Sequence, residues 1–260
     1  REQLGAQFSP EMGNNLASAY MKRGYVLSDK GDAAAAVADY GRAIAIREAL
    51  REQLGAQFSP DTADNLASAY VNRGNAFSDQ GDAAAALEDY GRAIAIREAL
   101  REQLGAQLPP TMADSLARVY MKRGLTLFGE GDAAAALADY AQAIAIWEAL
   151  REQLGGEFSP DMADNMASAY VNRGNALLKQ GDATAALEDY ERAIAIREAL
   201  REQLVGEFPP TMADSLARVY TIRGVLLSGQ GDATAALEDY GRAIAIWEAL
   251  REQLGAQFSP

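Results

Sequence analysis

The sequence contains no cysteine and no histidine. Without thiols there is no disulfide framework and no thiolate nucleophile. Without either residue, zinc sites of the Cys/His type and His-based catalytic triads are excluded. Long apolar runs are also missing, and none approaches the roughly 20 residues needed to cross a bilayer. Positive charge is in short supply, with 24 Lys and Arg against 37 Asp and Glu, for a net charge of −13. Nucleic acid and anionic membrane surfaces are recognised by clustered cations, so neither is an expected partner. The acids are spread along the whole chain rather than gathered in a tail, which suits a solvated surface that keeps an Ala-rich chain in solution.

What is present is a period. The stretch from Ala67 to Gly105 recurs, slightly altered, every 50 residues, with the dipeptide Gly-Asp at its centre beginning at Gly31, Gly81, Gly131, Gly181 and Gly231. A helical pattern lies on each side of that turn, so each unit reads as two helices joined tightly. A repeat of this size is the mark of an array whose units bury their apolar faces against their neighbours. Five units are expected, 1–50, 51–100, 101–150, 151–200 and 201–250, with a partial unit at 251–260, all within a single domain.

The first helix of each unit is expected to begin at Ser59-Pro60-Asp61 or its equivalent. Ser at the N-cap accepts an orphan N–H, Pro at the first helical position has none to satisfy, and Asp faces the positive end of the helix dipole. In copies three and five Pro109-Pro110 and Pro209-Pro210 remove the Ser cap, and a boundary shifted by one residue is expected there. Ala63, Leu66, Ala67, Tyr70, Gly74 and Phe77 follow the three-four spacing of an apolar face. Gly81 should end the first helix and Asp82 cap the second, which runs to Leu104 before Gly105 closes it.

Tyr70, Gly74, Phe77, Ala86 and Tyr90, followed by Ala93 and Ile94, fall at the spacings of the tetratricopeptide repeat, and the unit resembles that family. The resemblance covers essentially the whole chain. Two features depart from the motif. Its Leu is replaced by Arg23, Arg73, Arg123, Arg173 and Arg223, and its closing Pro is absent. The unit is also longer than the family's usual repeat of about 34 residues. The run Arg92-Ala93-Ile94-Ala95-Ile96-Arg97-Glu98, with Leu104-Gly105, is similar to the longer repeats of kinesin light chains, so both helices should be elongated, each added step of about eight residues giving about one turn to each helix. The implied fold is all-α, a right-handed TPR-like α-solenoid of helix-turn-helix units.

The copies differ mainly on the first helix, where Ser68, Val71, Asn72 and Asn75 stand against Arg118, Met121, Lys122 and Leu125. In the family, first helices line the groove that holds peptides, so the variable face coincides with the implied binding face. One subset of the family grips a peptide carboxylate with Lys, Asn and Arg from three successive repeats. The matching residues are Asn72, Arg118 and Lys122, although Met21 and Tyr25 occupy the first-repeat positions. A second set offers Asn172 and Arg218, with Ile222 where a cation would stand. Asn72, Asn75, Arg118, Lys122, Asn172, Asn175 and Arg218 are therefore the candidate peptide-binding residues. Cations with amide groups suit an acidic peptide as partner.

Other prominent residues have structural readings. Trp147 and Trp247 replace Arg97 on the second helix and lie on its apolar stripe, which points to packing. Arg73 and its equivalents occupy a packed position, so each should pair with an acid, the recurring Asp89 being the candidate. No catalytic constellation stands out. The Gly-Asp turns do not match a phosphate-binding loop, and neither metal nor cofactor is expected.

The reading is a protein- or peptide-binding scaffold, not an enzyme, with the cytoplasm the expected compartment. The alternative is a structural or self-assembling array, arisen by recent duplication or by deliberate construction. Residues 251–260 repeat residues 1–10, so both ends are expected to be cuts through a longer array. The stripe Ala243, Ile244, Trp247, Leu250 and Leu254 of the last helix should then lie open, and head-to-tail self-association is expected.

Overall fold

A computed structural model describes residues 9–255. The described residues form ten α-helices and no strand. They are α1 (Pro10–Asp29), α2 (Ala33–Leu54), α3 (Pro60–Asp79), α4 (Ala83–Leu104), α5 (Pro110–Gly129), α6 (Ala133–Leu154), α7 (Pro160–Gln180), α8 (Ala183–Gln203), α9 (Pro210–Gly229) and α10 (Ala233–Leu254). Short 3₁₀ turns follow α2, α4 and α6. The all-α, helix-turn-helix class and the elongated helices match the expectation from the period.

Local chemistry explains the boundaries. The hydroxyls of Ser9, Ser59 and Ser159 accept the N–H of the residue three places on, each at 3.2 Å. Pro109 and Pro209 make no side-chain cap, yet α5 and α9 begin at the equivalent residues Pro110 and Pro210. The expected one-residue shift does not occur. Pro at the first helical position already holds φ near its helical value, and the Pro109 carbonyl still accepts the N–H groups of Met112 and Ala113. Between the helices of a unit, Gly81 takes φ +80°, a left-handed turn that only glycine adopts cheaply. The Asp82 side chain then accepts the N–H of Ala85 at 3.0 Å and opens α4.

The chain divides into two compact units, Arg1–Asp132 and Ala133–Pro260. In the first, α1 packs on α2 and α3 on α4, while α2 also lies against α3 and α4 against α5. In the second, α7 packs on α8 and α9 on α10, with α6 against α7 and α8 against α9. Each first helix from α3 to α9, α5 apart, is thus held both by its own partner and by the second helix before it.

The closest approach within a pair is at glycine. A Cβ built on Gly74 would lie 2.8 Å from the Tyr90 ring, and one on Gly174 would lie 2.7 Å from Tyr190. The motif glycine therefore admits the tyrosine ring of the facing helix, as the family resemblance implies. Beside it, Arg73 donates from Nε and Nη2 to the two carboxylate oxygens of Asp89, both at 2.7 Å. Arg23–Asp39, Arg173–Asp189 and Arg223–Asp239 repeat the fork. These pairs bear out the expectation that the packed arginine needs an acid.

Part of the stripe on α10 is not open. Ala243 and Leu250 are buried, since they face α9, the helix packed along α10. Trp247 is half-buried and Ile244 is exposed. The side chain of Leu254, like residues 1–8 and 256–260, lies outside the described residues.

Candidate functional site

In the second unit the first helices α7 and α9 run side by side and leave a groove of about 220 Å³ between them. Ser168, Val171 and Asn172 line it from α7, and Ser215, Arg218, Val219 and Ile222 from α9. The spacing i, i+3, i+4 puts these side chains on one helical face. The predicted residues Asn172 and Arg218 are thereby brought to the same groove. Asn175 is not part of it. Its Oδ1 accepts the hydroxyl of Tyr190 at 2.8 Å, and Asn75 does the same for Tyr90 at 2.9 Å. Both amides are turned toward the second helix of their own repeat.

The cations of the site are partly compensated. Arg218 donates to Asp214 and Arg118 to Asp114, each at 2.8 Å along one helix turn. Lys122 faces α3: loss of hydration pulls its ammonium below the ordinary value, with Asp79 on α3 acting in the opposite sense and Arg118 in the same.

In the first unit the positions equivalent to the groove lining are Ser68, Val71, Asn72, Arg97, Ser115, Arg118, Val119 and Lys122. Seven of the eight are the same residue type as in the second unit; Lys122 in place of Ile222 is the one difference. Here Arg97 joins α3 to α5 by binding Ser68 Oγ at 2.9 Å and the Ser115 carbonyl at 3.2 Å. Asn72 lies one turn beyond Ser68, and Arg118 and Lys122 one and two turns beyond Ser115, so these three residues follow the same two helices away from that junction.

The groove floor is not evident in the sequence. It is a second-helix arginine. Arg197 on α8 is only 3% exposed and still lines the groove. Its Nε donates to Asp164 at 2.7 Å and its Nη2 to Ser168 Oγ at 2.8 Å. Arg97 binds Asp64 and Ser68 in the same way. At Arg47 the acid is replaced by Asn14, which accepts at 3.4 Å, and burial pulls the guanidinium below its ordinary value. Where the position holds Trp247, the indole N–H donates to Asp214 at 2.9 Å. Trp147 is fully buried, so the packing reading of the tryptophans fits. The signal in the sequence is the Arg/Trp exchange combined with the recurring Asp64, Asp164 and Asp214. Their pairing is hidden there because 33 residues separate the partners.

A second concavity lies on the other side of the second unit. Phe208, Ala213, Ile246 and Leu250 form an apolar floor between α8 and α10, in a cleft of about 720 Å³. Its rim carries both signs, Glu198 and Glu202 with Arg201 and Arg242. A smaller cleft at Phe158, Ala163, Ile196 and Leu200 repeats it between α6 and α8. Among the described residues no cluster of potential metal ligands occurs, and no helix is long and apolar enough to cross a membrane.

Family models described as tetratricopeptide repeat match one stretch in each of the five copies: residues 17–50, 62–101, 117–146, 167–199 and 216–252. No curated protein matches the sequence. Among solved structures, BtubC (BKLC) from P. vanneervenii is 21% identical, with 99% of this chain and 89% of that chain covered and a TM-score of 0.70. A kinesin-light-chain-like protein of Podosopora anserina with nearly identical TPR-like repeats is 17% identical, with coverages of 95% and 99% and a TM-score of 0.59. YrrB, described as a TPR protein with an unusual peptide-binding site, is 17% identical, with coverages of 90% and 89% and a TM-score of 0.52. At these identities the likeness is one of fold.

Proposed function

The chain belongs to the tetratricopeptide repeat family, and we propose that it is a scaffold that holds a peptide segment of a partner protein between successive first helices. The observation that carries this reading is the groove between α7 and α9, where Asn172 and Arg218 meet over an aliphatic wall of Val171, Val219 and Ile222. The lining supplies amide and guanidinium donors, and its hydroxyls are small. A segment that brings carboxylates beside aliphatic side chains fits that chemistry, as backbone and carboxylate oxygens accept from such donors. Asn72, Arg118 and Lys122 form the equivalent site of the first unit in this reading. Asn75 and Asn175 serve it indirectly, through the tyrosines they hold.

The test is a rim variant carrying Arg118→Glu, Lys122→Glu, Asn172→Ala and Arg218→Glu. Its affinity for short acidic peptides, measured by fluorescence anisotropy, is expected to fall by at least about tenfold, the equivalent of one charge-assisted hydrogen bond. Unchanged affinity would remove the grooves from the function.

A second reading, head-to-tail self-association, rests on a different observation. Leu16 on α1 is 41% exposed, whereas Leu66, Leu116, Met166 and Leu216 at the same position are buried. Ile244 on α10 is 54% exposed, whereas Ile44, Ile94 and Ile194 are buried. Positions that the internal repeats bury are thus open on two helices of this polypeptide, and a second copy would cover both. Sedimentation of residues 1–260 should show mass rising with concentration, and Leu16→Glu with Ile244→Glu should abolish the rise. A strict monomer throughout would dispose of this reading.

A further inference from the structure

The groove floor is a buried cation supplied by the second helix. Two observations at this second-helix position point the same way. In the second unit Arg197 spends Nε on Asp164 and Nη2 on Ser168, which leaves Nη1 without a protein acceptor. The residue is nevertheless part of the groove lining. A guanidinium has five N–H donors in a fixed fork, so both on Nη1 of Arg197 remain for whatever enters, and at Arg97, where Nη1 gives one N–H to the Ser115 carbonyl at 3.2 Å, the other remains. At Arg47 the same position is buried with no carboxylate bound to it. Asn14, Ser18 and the Asn65 carbonyl are its partners, all neutral, at 3.2 to 3.4 Å. A buried cation without a counter-charge is costly, and an incoming carboxylate would supply one.

We propose that Arg47, Arg97 and Arg197 are the carboxylate-binding groups of the array, each reaching from a second helix into the groove between two first helices. The proposal rests on the reading of these grooves as peptide sites. It gives the ligand a definite chemistry: a carboxylate set beside aliphatic residues, from an Asp or Glu side chain or from a chain terminus. The carboxylate meets the guanidinium, and the neighbouring aliphatic side chain meets Val171, Val219 and Ile222 or their equivalents. It also gives the Arg/Trp exchange a meaning. Where Trp247 occupies the position, the bond to the first-helix acid is kept while the inward-facing cation is lost.

That exchange supplies the test, since the fold already accepts Trp at this position in two copies. The variant Arg47→Trp, Arg97→Trp, Arg197→Trp is compared with the unaltered full chain. The probes are fluorescein-labelled Val-Glu-Val-Asp, its C-terminally amidated form, and the neutral amidated peptide Val-Gln-Val-Asn. The readout is the ratio of affinities for the acidic and neutral amidated peptides, because an indole that merely crowds the groove lowers both alike. The unaltered chain should prefer the acidic peptide by about tenfold, and the variant should show a ratio near one with unchanged helicity. A loss confined to the free terminus identifies the terminal carboxylate as the ligand group; a loss shared by both acidic forms identifies the side chains. A preference that survives the three substitutions overturns the assignment of the arginines and leaves the groove reading standing. If the unaltered chain binds none of the probes, both fail. Should the triple variant lose helicity, Arg197→Trp and Arg97→Trp alone are measured, each expected to lower the ratio; a ratio unchanged in both overturns the proposal.

Discussion

Raising the pH from 10 toward 12 is expected to unfold this protein cooperatively. Tyr90, Tyr120, Tyr170 and Tyr190 are buried, and burial pushes each phenol up from the usual 10 to about 12. Nearby acids add to the shift. Tyr120 donates to Glu98 and Tyr170 to Glu148, so a phenolate there would face a carboxylate. Tyr140, whose hydroxyl is buried without a partner, is pushed further in the same direction. The sign follows from proton uptake. Above the unfolded value the unfolded chain has released these protons and the folded chain has not, so stability is intact below pH 10 and falls as pH rises through 12. One unit corresponds to about 1.4 kcal/mol per tyrosine, so four of them remove on the order of 5 kcal/mol by pH 11. A domain has about 5–15 kcal/mol in all. Tyrosinate absorbance and far-ultraviolet ellipticity should therefore change together and steeply. Phenols that ionise near pH 10 while the helices persist would contradict this account.

Removing one arginine of the repeated fork should be costly at neutral pH. Asp89 has a side-chain exposure of 3%, against 24% for Arg73. The hydrogen bond to Asp89 raises the Arg73 guanidinium above its ordinary value, against the opposing effect of burial. Arg73→Met would leave the Asp89 carboxylate buried without its bidentate partner. Breaking a buried pair from one side costs about 3–5 kcal/mol, and the partial exposure of Arg73 places this case at the lower end of that range. The double variant Arg73→Met, Asp89→Leu should cost less than Arg73→Met alone, since no charge is then left behind. Arg23→Met should cost less too. Arg23 is largely exposed, and Arg42 still donates to Asp39 at 2.8 Å. Urea unfolding of the three variants measures the order. Equal losses in all three would mean that the fork contributes packing and no charge compensation.

Much of the fold is legible because its determinants are local and recur in five copies. Ser59-Pro60 and Asp82 set helix starts within one turn, and Gly81 sets the reversal between them. Gly74 and Tyr90 meet because the motif spacing places them on facing sides of one hairpin. Arg73 and Asp89 can be paired for the same reason: both face inward within a single repeat. The boundary at Pro109 departs from expectation because loss of the Ser cap weighs less than the geometry of Pro110, which starts the helix by itself.

The site is legible only in part. Asn172 and Arg218 follow from helix periodicity, which decides the face of a helix that a residue occupies. It does not decide which neighbour takes up a side chain's hydrogen bonds. Asn75, one turn from Asn72, accepts the Tyr90 hydroxyl on its carbonyl oxygen because α4 lies within reach of it. Arg97 and Arg197, which the sequence places on a packed stripe, become the groove floor because a guanidinium on a long stem crosses from the second helix to Asp64 or Asp164 on the first. The sequence alone determined the repeat, the helix limits and the pairs inside each hairpin, where short spacing leaves little choice. Only the tertiary structure decided the contents of the groove, because these depend on how three helices from two successive repeats approach one another.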